Sequence, residues 1–392
     1  MRLNPSPPPH GGQLRQISER FDIPASQLLD FSANINPHGP PPSVLQALQA
    51  ALASPSMLTS YPDLEQSELK SCIAASAGVD VDAIAVANGV VPLLEAALRT
   101  LSVRRCLLPV PAFGEYRRTL ERVGLAVTPY PLSQETGFDY DPERLIAALE
   151  TGRHDAILLA NPQNPTGAPC DRTVLLEIIQ AAARANVHVL LDEAFIDYVL
   201  EYSVADQVAH FTTLTVFRSV TKFYAIPGLR VAYAISNPEQ TARLNSHLPP
   251  WPITTLASVG VCAALRDTIY AEETLAANQN HKGRLVEQLQ ELGLHTYPSA
   301  ANFLLLRLPS AVDAQEYWQR LIAEHSIVLR NCSNFETLAS GHLRCAVRTP
   351  NENARLVSAL RSLLNGTVPL PRPSPPARPH QPLVRDQDCR ER

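Results

Sequence analysis

An imine requires a free amine, and this chain offers few. Of its 33 basic residues only Lys70, Lys222 and Lys282 are lysines. The rest are arginines, whose guanidinium binds carboxylates and phosphates but forms no Schiff base. Lys70 falls in the amphipathic stretch Leu64–Ser76 and Lys282 in Ala276–Leu292, patterns that predict a solvated lysine. Lys222 has a different setting. It follows the apolar run Thr213–Phe217 in Arg218-Ser219-Val220-Thr221-Lys222, and Arg230 comes eight residues later, past Pro227-Gly228. Other polar groups close apolar runs in the same way. Asp192 ends His188–Leu191, and Asn161-Pro162-Gln163-Asn164-Pro165-Thr166-Gly167 follows Ala156–Ala160 as a rigid turn that aims an amide. Asn88-Gly89-Val90-Val91-Pro92 joins a run to a helical pattern, where a glycine exposes backbone N–H groups suited to a phosphate.

Taken singly, each has a plainer use; a carboxylate at the end of a buried strand serves structural ion pairs as readily as chemistry. Together they describe one cofactor. An aldehyde needs a lysine amine, a pyridine nitrogen needs a carboxylate that keeps it protonated, and a phenolic oxygen needs a donor. A phosphate needs a helix N-terminus, hydroxyls and an arginine. The set predicts pyridoxal 5′-phosphate, with Lys222 as its lysine.

The elements that must position these groups alternate along the chain. Ala83–Ala87, Arg105–Val110, Ala156–Ala160, His188–Leu191, Thr213–Phe217 and Leu229–Ile235 read as strands, and Val91–Thr100, Gly114–Val123, Pro142–Glu150 and Arg172–Ala185 as helices. Continuously apolar strands with intervening helices predict an α/β fold, a largely parallel sheet covered on both faces that binds ligands beyond the carboxyl ends of its strands. Pro249-Pro250-Trp251-Pro252 interrupts the pattern, and a long helical region then runs to about Leu292. Strands at Asn302–Leu308, Ile327–Arg330 and His342–Val347, with a helix at Glu352–Leu364, read as a smaller α+β domain. The organisation expected is an N-terminal arm over 1–42 packed with the small domain, a large cofactor domain over 43–248, the small domain over 249–365 and a Pro/Arg-rich disordered tail over 366–392.

Composition narrows the class. The 392 residues carry a net charge of -5, which leaves no electrostatic footprint for nucleic acid or an anionic membrane. No apolar run approaches the roughly 18 residues of a spanning helix, and the start, with its Pro7-Pro8-Pro9, has no apolar core of a secretory signal. Seven scattered cysteines without a CxxC pair exclude a zinc ribbon or a disulfide scaffold, so no metal is expected and a cytoplasmic enzyme with reduced thiols is.

Over roughly residues 10–364 the chain resembles fold-type I pyridoxal-phosphate enzymes. The resemblance rests on the 161–167 turn, the aspartate of Asp192-Glu193-Ala194-Phe195-Ile196-Asp197-Tyr198, and Ser219-x-x-Lys222 with Arg230. It is similar to the histidinol-phosphate aminotransferase branch and, within it, to the threonine-phosphate decarboxylases of cobalamin synthesis. That second level rests on His10-Gly11-Gly12, the Asp30–Pro37 segment, Pro250-Trp251, the Arg330–Phe335 segment and Arg344–Arg348. The resemblance implies that Lys222 holds the cofactor as an imine, Asp192 pairs with the pyridinium nitrogen, Asn164 donates to the phenolate oxygen and Phe113 stacks on the ring. Gly89, Val90, Ser219, Thr221 and Arg230 are implied to hold the cofactor phosphate, with Tyr61 reaching in from the second subunit of a homodimer. Arg344 is implied to grip the substrate α-carboxylate; His10, Asn34, Arg330 and Arg348 suit a phosphorylated far end. Phe113 equally suits a core position, and Arg344 a surface ion pair.

The implied activity is decarboxylation of L-threonine O-3-phosphate to (R)-1-amino-2-propanol O-2-phosphate, with a histidinol-phosphate-type or general amino-acid aminotransferase as the alternative. A catalytically silent binding protein is a third reading, which the presence of Lys222, Asp192 and Asn164 opposes. Two positions depart from the relatives. Phe195 stands where the aminotransferases carry a tyrosine that donates to the phenolate oxygen. Val90-Val91-Pro92 replaces small or hydroxylated residues followed by glutamate, which leaves phosphate anchoring there to backbone N–H groups.

Overall fold

The computed structural model describes residues 7–310, 312–338 and 341–365. The expected tail over 366–392 and the first part of the proline-rich start lie outside them.

Seven strands form the main sheet: β1 (Ile84–Ala87), β2 (Arg105–Val110), β3 (Ala126–Pro131), β4 (Ala156–Ala160), β5 (His188–Asp192), β6 (Leu214–Ser219) and β7 (Ala232–Ile235). Their spatial order is β1-β7-β6-β5-β4-β2-β3. Five neighbouring strands, β6 through β3, run parallel, and β7 lies antiparallel between β6 and β1. The segment from Ser219 to Ala232 holds only a short 3-10 turn, too little for the covering helix of a parallel crossover, so the chain returns antiparallel.

Side chains of each strand alternate between two cores. Ile84, Leu107, Ile157, Leu159, Val189 and Leu191 join one apolar cluster, while Ala85, Cys106, Leu108, Leu158 and Leu190 join the other. Period-two alternation with both sides apolar is what makes these strands read as continuous runs. In the main sheet the strand that pattern reading missed is β3, which contains Pro129 and Pro131. It sits at the sheet edge, where a missing N–H breaks no second ladder.

The long helical region after Trp251 resolves into two helices, Thr255–Arg266 and Thr268–Glu291, broken at Asp267, whose carboxylate caps the second by accepting from the Tyr270 N–H. Beyond them a four-stranded antiparallel sheet pairs Arg330–Asn331, His342–Ala346, Phe303–Arg307 and His295–Thr296 in that order. Its core gathers around fully buried Trp318, and the N-terminal residues Ile17, Phe21, Leu29 and Phe31 belong to it. Leu29–Asp30 pairs in parallel with Ile327–Val328, tying the arm to this unit by backbone bonds as well as packing.

Candidate active site

The carboxyl ends of β4, β5 and β6 open into a cleft of about 670 Å³, closed on its other side by residues of the arm and the small sheet. Each strand delivers one group. At the end of β5, Asp192 is buried; its Oδ1 accepts the Ala194 N–H at 2.8 Å and its Oδ2 accepts the Tyr116 hydroxyl at 2.5 Å. Burial pushes the Asp192 carboxyl up, while the Tyr116 hydrogen bond and the Lys222 charge act in the opposite direction. After β4, Asn161 and Gln163 brace the turn: the Asn161 Oδ1 accepts the Cys170 N–H at 2.9 Å and the Gln163 amide donates to the Phe138 carbonyl at 2.9 Å. So fixed, the turn presents Asn164 to the cleft.

After β6, the Lys222 amine donates to Ser219 Oγ at 3.1 Å, and the Ser219 and Thr221 hydroxyls lie 2.8 Å apart. Burial lowers the Lys222 pKa, Asp192 raises it and Arg230 lowers it. The arm secures this loop: the Asn36 N–H donates to the Lys222 carbonyl at 3.1 Å and its amide to the Phe223 carbonyl at 3.0 Å. The same lysine end lies 5.7 Å from the centre of the Phe195 ring. Arg230, at φ 58°, carries its guanidinium over the turn between β1 and the helix Val90–Thr100. There Gly89 takes φ +100°, and a Cβ on it would meet Arg230 Nη2 at 2.9 Å. Backbone N–H groups at a helix start and an arginine therefore meet at this turn, and Thr221 lines the same cleft, which suits a phosphate.

Across the cleft stands Arg344, from the strand His342–Ala346. It is buried, its Nη1 donates to Asn164 Oδ1 at 2.5 Å and its Nη2 to the Ser32 carbonyl at 3.0 Å, and its Nε has no partner. Burial draws its pKa down to about 10. The buried Asn34 Oδ1 on the same wall is also unpartnered. Asn164 thus spends its oxygen on Arg344 and keeps its amide N–H groups to donate.

Most of the expected site residues meet here. His10, Asn34, Val90, Phe113, Asn164, Asp192, Thr221, Lys222, Arg230, Arg330 and Arg344 line one cleft, with Ser219 hydrogen-bonded to Lys222 and Gly89 beneath Arg230. Others stand differently from expectation. Arg348 does not line the cleft: past the strand end at Ala346 the chain turns toward the helix Pro350–Asn365, and the guanidinium donates to the Asp30 carbonyl at 2.9 Å and pairs with Glu352 at 2.8 Å. Arg330 lines the cleft, but its guanidinium holds the arm, donating to the Pro8 and Pro9 carbonyls, the Asn331 carbonyl and Asn334 Oδ1. His10 Nε2 lies 2.9 Å from the Glu115 carboxylate. Tyr61 is far from these groups in its exposure, 82%, and stacks on Trp251 at 4.8 Å. Lys282, expected in solvent, is half-buried and donates to the Ser299 and Ala301 carbonyls, and burial lowers its pKa to about 8.

Pattern reading missed Tyr116 and Asn36. The only local signal for Tyr116 was its place one helical turn past Phe113, because its partner lies 76 residues away.

Residues 26–360 match the family described as aminotransferase class I and II. The chain belongs to this family. It is 34% identical over 364 residues to threonine-phosphate decarboxylase of Salmonella typhimurium, covering 92% of this chain and 98% of that one. It is 30% identical to histidinol-phosphate aminotransferase 1 of Cupriavidus pinatubonensis, covering 90% and 93%. The fold superposes on histidinol-phosphate aminotransferase from Clostridium acetobutylicum with a TM-score of 0.80 at 28% identity, covering 86% of this chain and 99% of that one. It also matches that of Sinorhizobium meliloti, solved with pyridoxal-5′-phosphate, with a TM-score of 0.79 at 22% identity, covering 90% and 97%. The chain has the fold-type I architecture and is a pyridoxal-phosphate-dependent enzyme. Its residues fit that cofactor: one amine, one buried carboxylate open to the cleft, and a phosphate-type donor cluster framed by Gly89. Among the described residues no helix is long and apolar enough to cross a membrane.

Proposed function

We propose that this enzyme decarboxylates L-threonine O-3-phosphate, giving (R)-1-amino-2-propanol O-2-phosphate and carbon dioxide for cobalamin synthesis. The observation that carries the reading is that one cleft is lined both by the buried guanidinium of Arg344, together with Lys222, and on the arm side by His10, Asn34 and Arg330. A substrate with a carboxylate at one end and a phosphate at the other matches this two-ended donor set. The greater identity to the Salmonella decarboxylase, over nearly its whole length, supports the same choice.

Bound pyridoxal phosphate supplies a carbonyl that takes an amine and a ring that accepts the electron pair of the bond broken at Cα. The chain supplies the rest. Lys222, its pKa lowered by burial, is the only lysine lining the cleft and offers the amine. With the cofactor bound, Asp192 would keep the ring nitrogen protonated, Asn164 would donate to the phenolate oxygen and Phe113 would cover the ring face. Gly89, Val90, Ser219, Thr221 and Arg230 would hold the phosphate. Only a bond perpendicular to the ring plane breaks readily, so the choice of reaction is a choice of pose. Arg344 grips the carboxylate and sets that pose; His10, Asn34 and Arg330 fix the far end. Lys222 Nζ would take up a proton from the substrate ammonium as the substrate amine replaces it, and would return that proton to Cα in place of the departing carboxylate. Phe195 presents an apolar ring near that amine, so no phenol competes for the proton there.

The deciding experiment measures carbon dioxide release from phosphothreonine against amino transfer from histidinol phosphate to a keto acid. Stoichiometric carbon dioxide without consumption of the acceptor is expected. Faster amino transfer would establish the aminotransferase reading instead.

A further inference from the structure

We propose that Tyr116 is a positioning residue that keeps Asp192 anionic toward the cofactor's ring nitrogen. The proposal rests on the reading that Asp192 meets that nitrogen. Tyr116 lies in the first turn of the helix Gly114–Arg122 and is 4% exposed. Its hydroxyl donates to Asp192 Oδ2 at 2.5 Å, a separation typical of a phenol on a charged oxygen. The ring is held edge-on against Phe113, at 5.5 Å and 85°, and packs in the cluster of Leu108, Val110 and Leu120. The donor therefore has no other direction to point.

A proton shared by a buried carboxylate and a pyridine nitrogen can rest on either. Burial favours the neutral pair, with the proton on the carboxylate. Every hydrogen bond accepted by the carboxylate favours the ionic pair, with the proton on nitrogen and the ring at its most electron-withdrawing. Asp192 accepts one bond from the Ala194 backbone, which no side-chain change can tune, and one from Tyr116. Burial raises the Tyr116 pKa well above that of an ordinary phenol, so the hydroxyl stays a donor throughout the working range. The helix start that carries Phe113 against the cleft thus also sets the charge state of the group beneath it.

The test is Tyr116→Phe, which preserves the ring and its contact with Phe113 and removes one O–H. Cofactor dissociation should rise by about 10- to 100-fold, the weight of one hydrogen bond to a charged group. The pH titration of the bound cofactor's visible absorbance should move its midpoint up by about one unit or more, because the carboxylate that has lost a donor draws the proton off the ring nitrogen, and an imine no longer facing a cationic ring holds its own proton more tightly. A purely structural tyrosine would alter the melting temperature and leave that midpoint in place. Asp192→Asn, measured alongside, separates the two readings. If Asp192→Asn changes affinity and titration while Tyr116→Phe behaves as wild type, Tyr116 has no such role and Asp192 keeps its own. If Asp192→Asn binds and titrates like wild type, the reading of Asp192 falls and the proposal with it.

Discussion

Lys222 and Arg344 make the sharpest predictions at the scale of single residues. Lys222→Ala should lose the lysine-bound visible absorbance and all turnover. Borohydride treatment should then fix no cofactor to the chain, because Lys282 is occupied with two carbonyls and Lys70 does not line the cleft. A trapped adduct in that variant, located by peptide mass, would reassign the imine. The two substrate ends should fail differently. Removing one charge-assisted contact costs about 1.5–3 kcal/mol, or roughly 10- to 150-fold. Arg344→Ala should lower carbon dioxide release by that order and raise the share of pyridoxamine phosphate formed, since the carboxylate loses its pose. Arg330→Ala should act mainly on KM and erase the preference for phosphothreonine over threonine, because it both removes a cation and releases Pro8 and Pro9. Equal loss of both products in both variants would refute the division of labour. Asp192 was legible in the sequence because it closes an apolar run, and Asn164 and Lys222 because they follow one within a few residues, which puts all three at or just beyond a strand's carboxyl end. Arg348 was misread because its neighbour Arg344 lies on the strand and it does not: four residues carry the chain past the last ladder bond and into the pairing with Glu352.

Elements explain what patterns could and could not reveal. Strands β2 and β4 and the helix Pro142–Glu150 begin and end where the sequence reading placed them, since buried parallel strands are bounded by abrupt changes of polarity. The edge strand β3 was invisible because most of its residues are exposed and its prolines argue against a strand. The turn from β1 into its helix was legible by its glycine, and its geometry now gives a prediction. Gly89→Ala must hold a Cβ at positive φ and 2.9 Å from the Arg230 guanidinium. Such strain costs about 1–3 kcal/mol, and it falls on the phosphate cluster, so cofactor affinity should drop about 10-fold or more while far-UV circular dichroism is unchanged. Wild-type affinity in this variant would remove Gly89 from the cradle. A second element-level test uses the Thr268–Glu291 helix. Its Lys282 has a pKa of about 8 against an ordinary 10.5, so the fold disfavours its charged form. Between those values the unfolded chain binds more protons, and stability contributed at this position rises with pH. Wild type should therefore gain on Lys282→Met from pH 8 to 10.5 in denaturant titrations; a constant difference would mean that the ammonium is not destabilised.

At the scale of the molecule, the two sheets enclose the cleft but leave one surface unexplained. Leu45, Leu52, Leu58, Tyr61 and Leu64 follow one another along a short stretch, each more than half exposed, and Trp251 stacks on Tyr61 while itself 44% exposed. Covering one such leucine is worth about 1.5–3 kcal/mol, and contiguous exposed apolar groups mark interaction sites. The sequence could not reveal this surface, because its leucines at 45, 52 and 58 look like any helix's apolar stripe until the fold leaves them uncovered. We propose a homodimer with composite sites to account for it: the apolar stretch would meet its copy, and Tyr61, which does not line its own subunit's cleft, would donate to the cofactor phosphate in the other. Two variants separate association from catalysis. Leu58→Glu places a charge among the uncovered leucines and should convert the dimer to a monomer with weakened cofactor binding. Tyr61→Phe keeps the apolar ring and its stacking on Trp251, so it should sediment as a dimer, yet lose about 10-fold in cofactor affinity for want of one hydroxyl on a charged acceptor. Mixing Tyr61→Phe with Lys222→Ala should then restore a fraction of the sites, since in the mixed dimer the Lys222 subunit's cleft receives an intact Tyr61 from its partner. A wild-type enzyme that is fully active as a monomer at micromolar concentration, or a mixture with no recovered affinity, would place Tyr61 outside the site and leave the exposed stretch for some other neighbour.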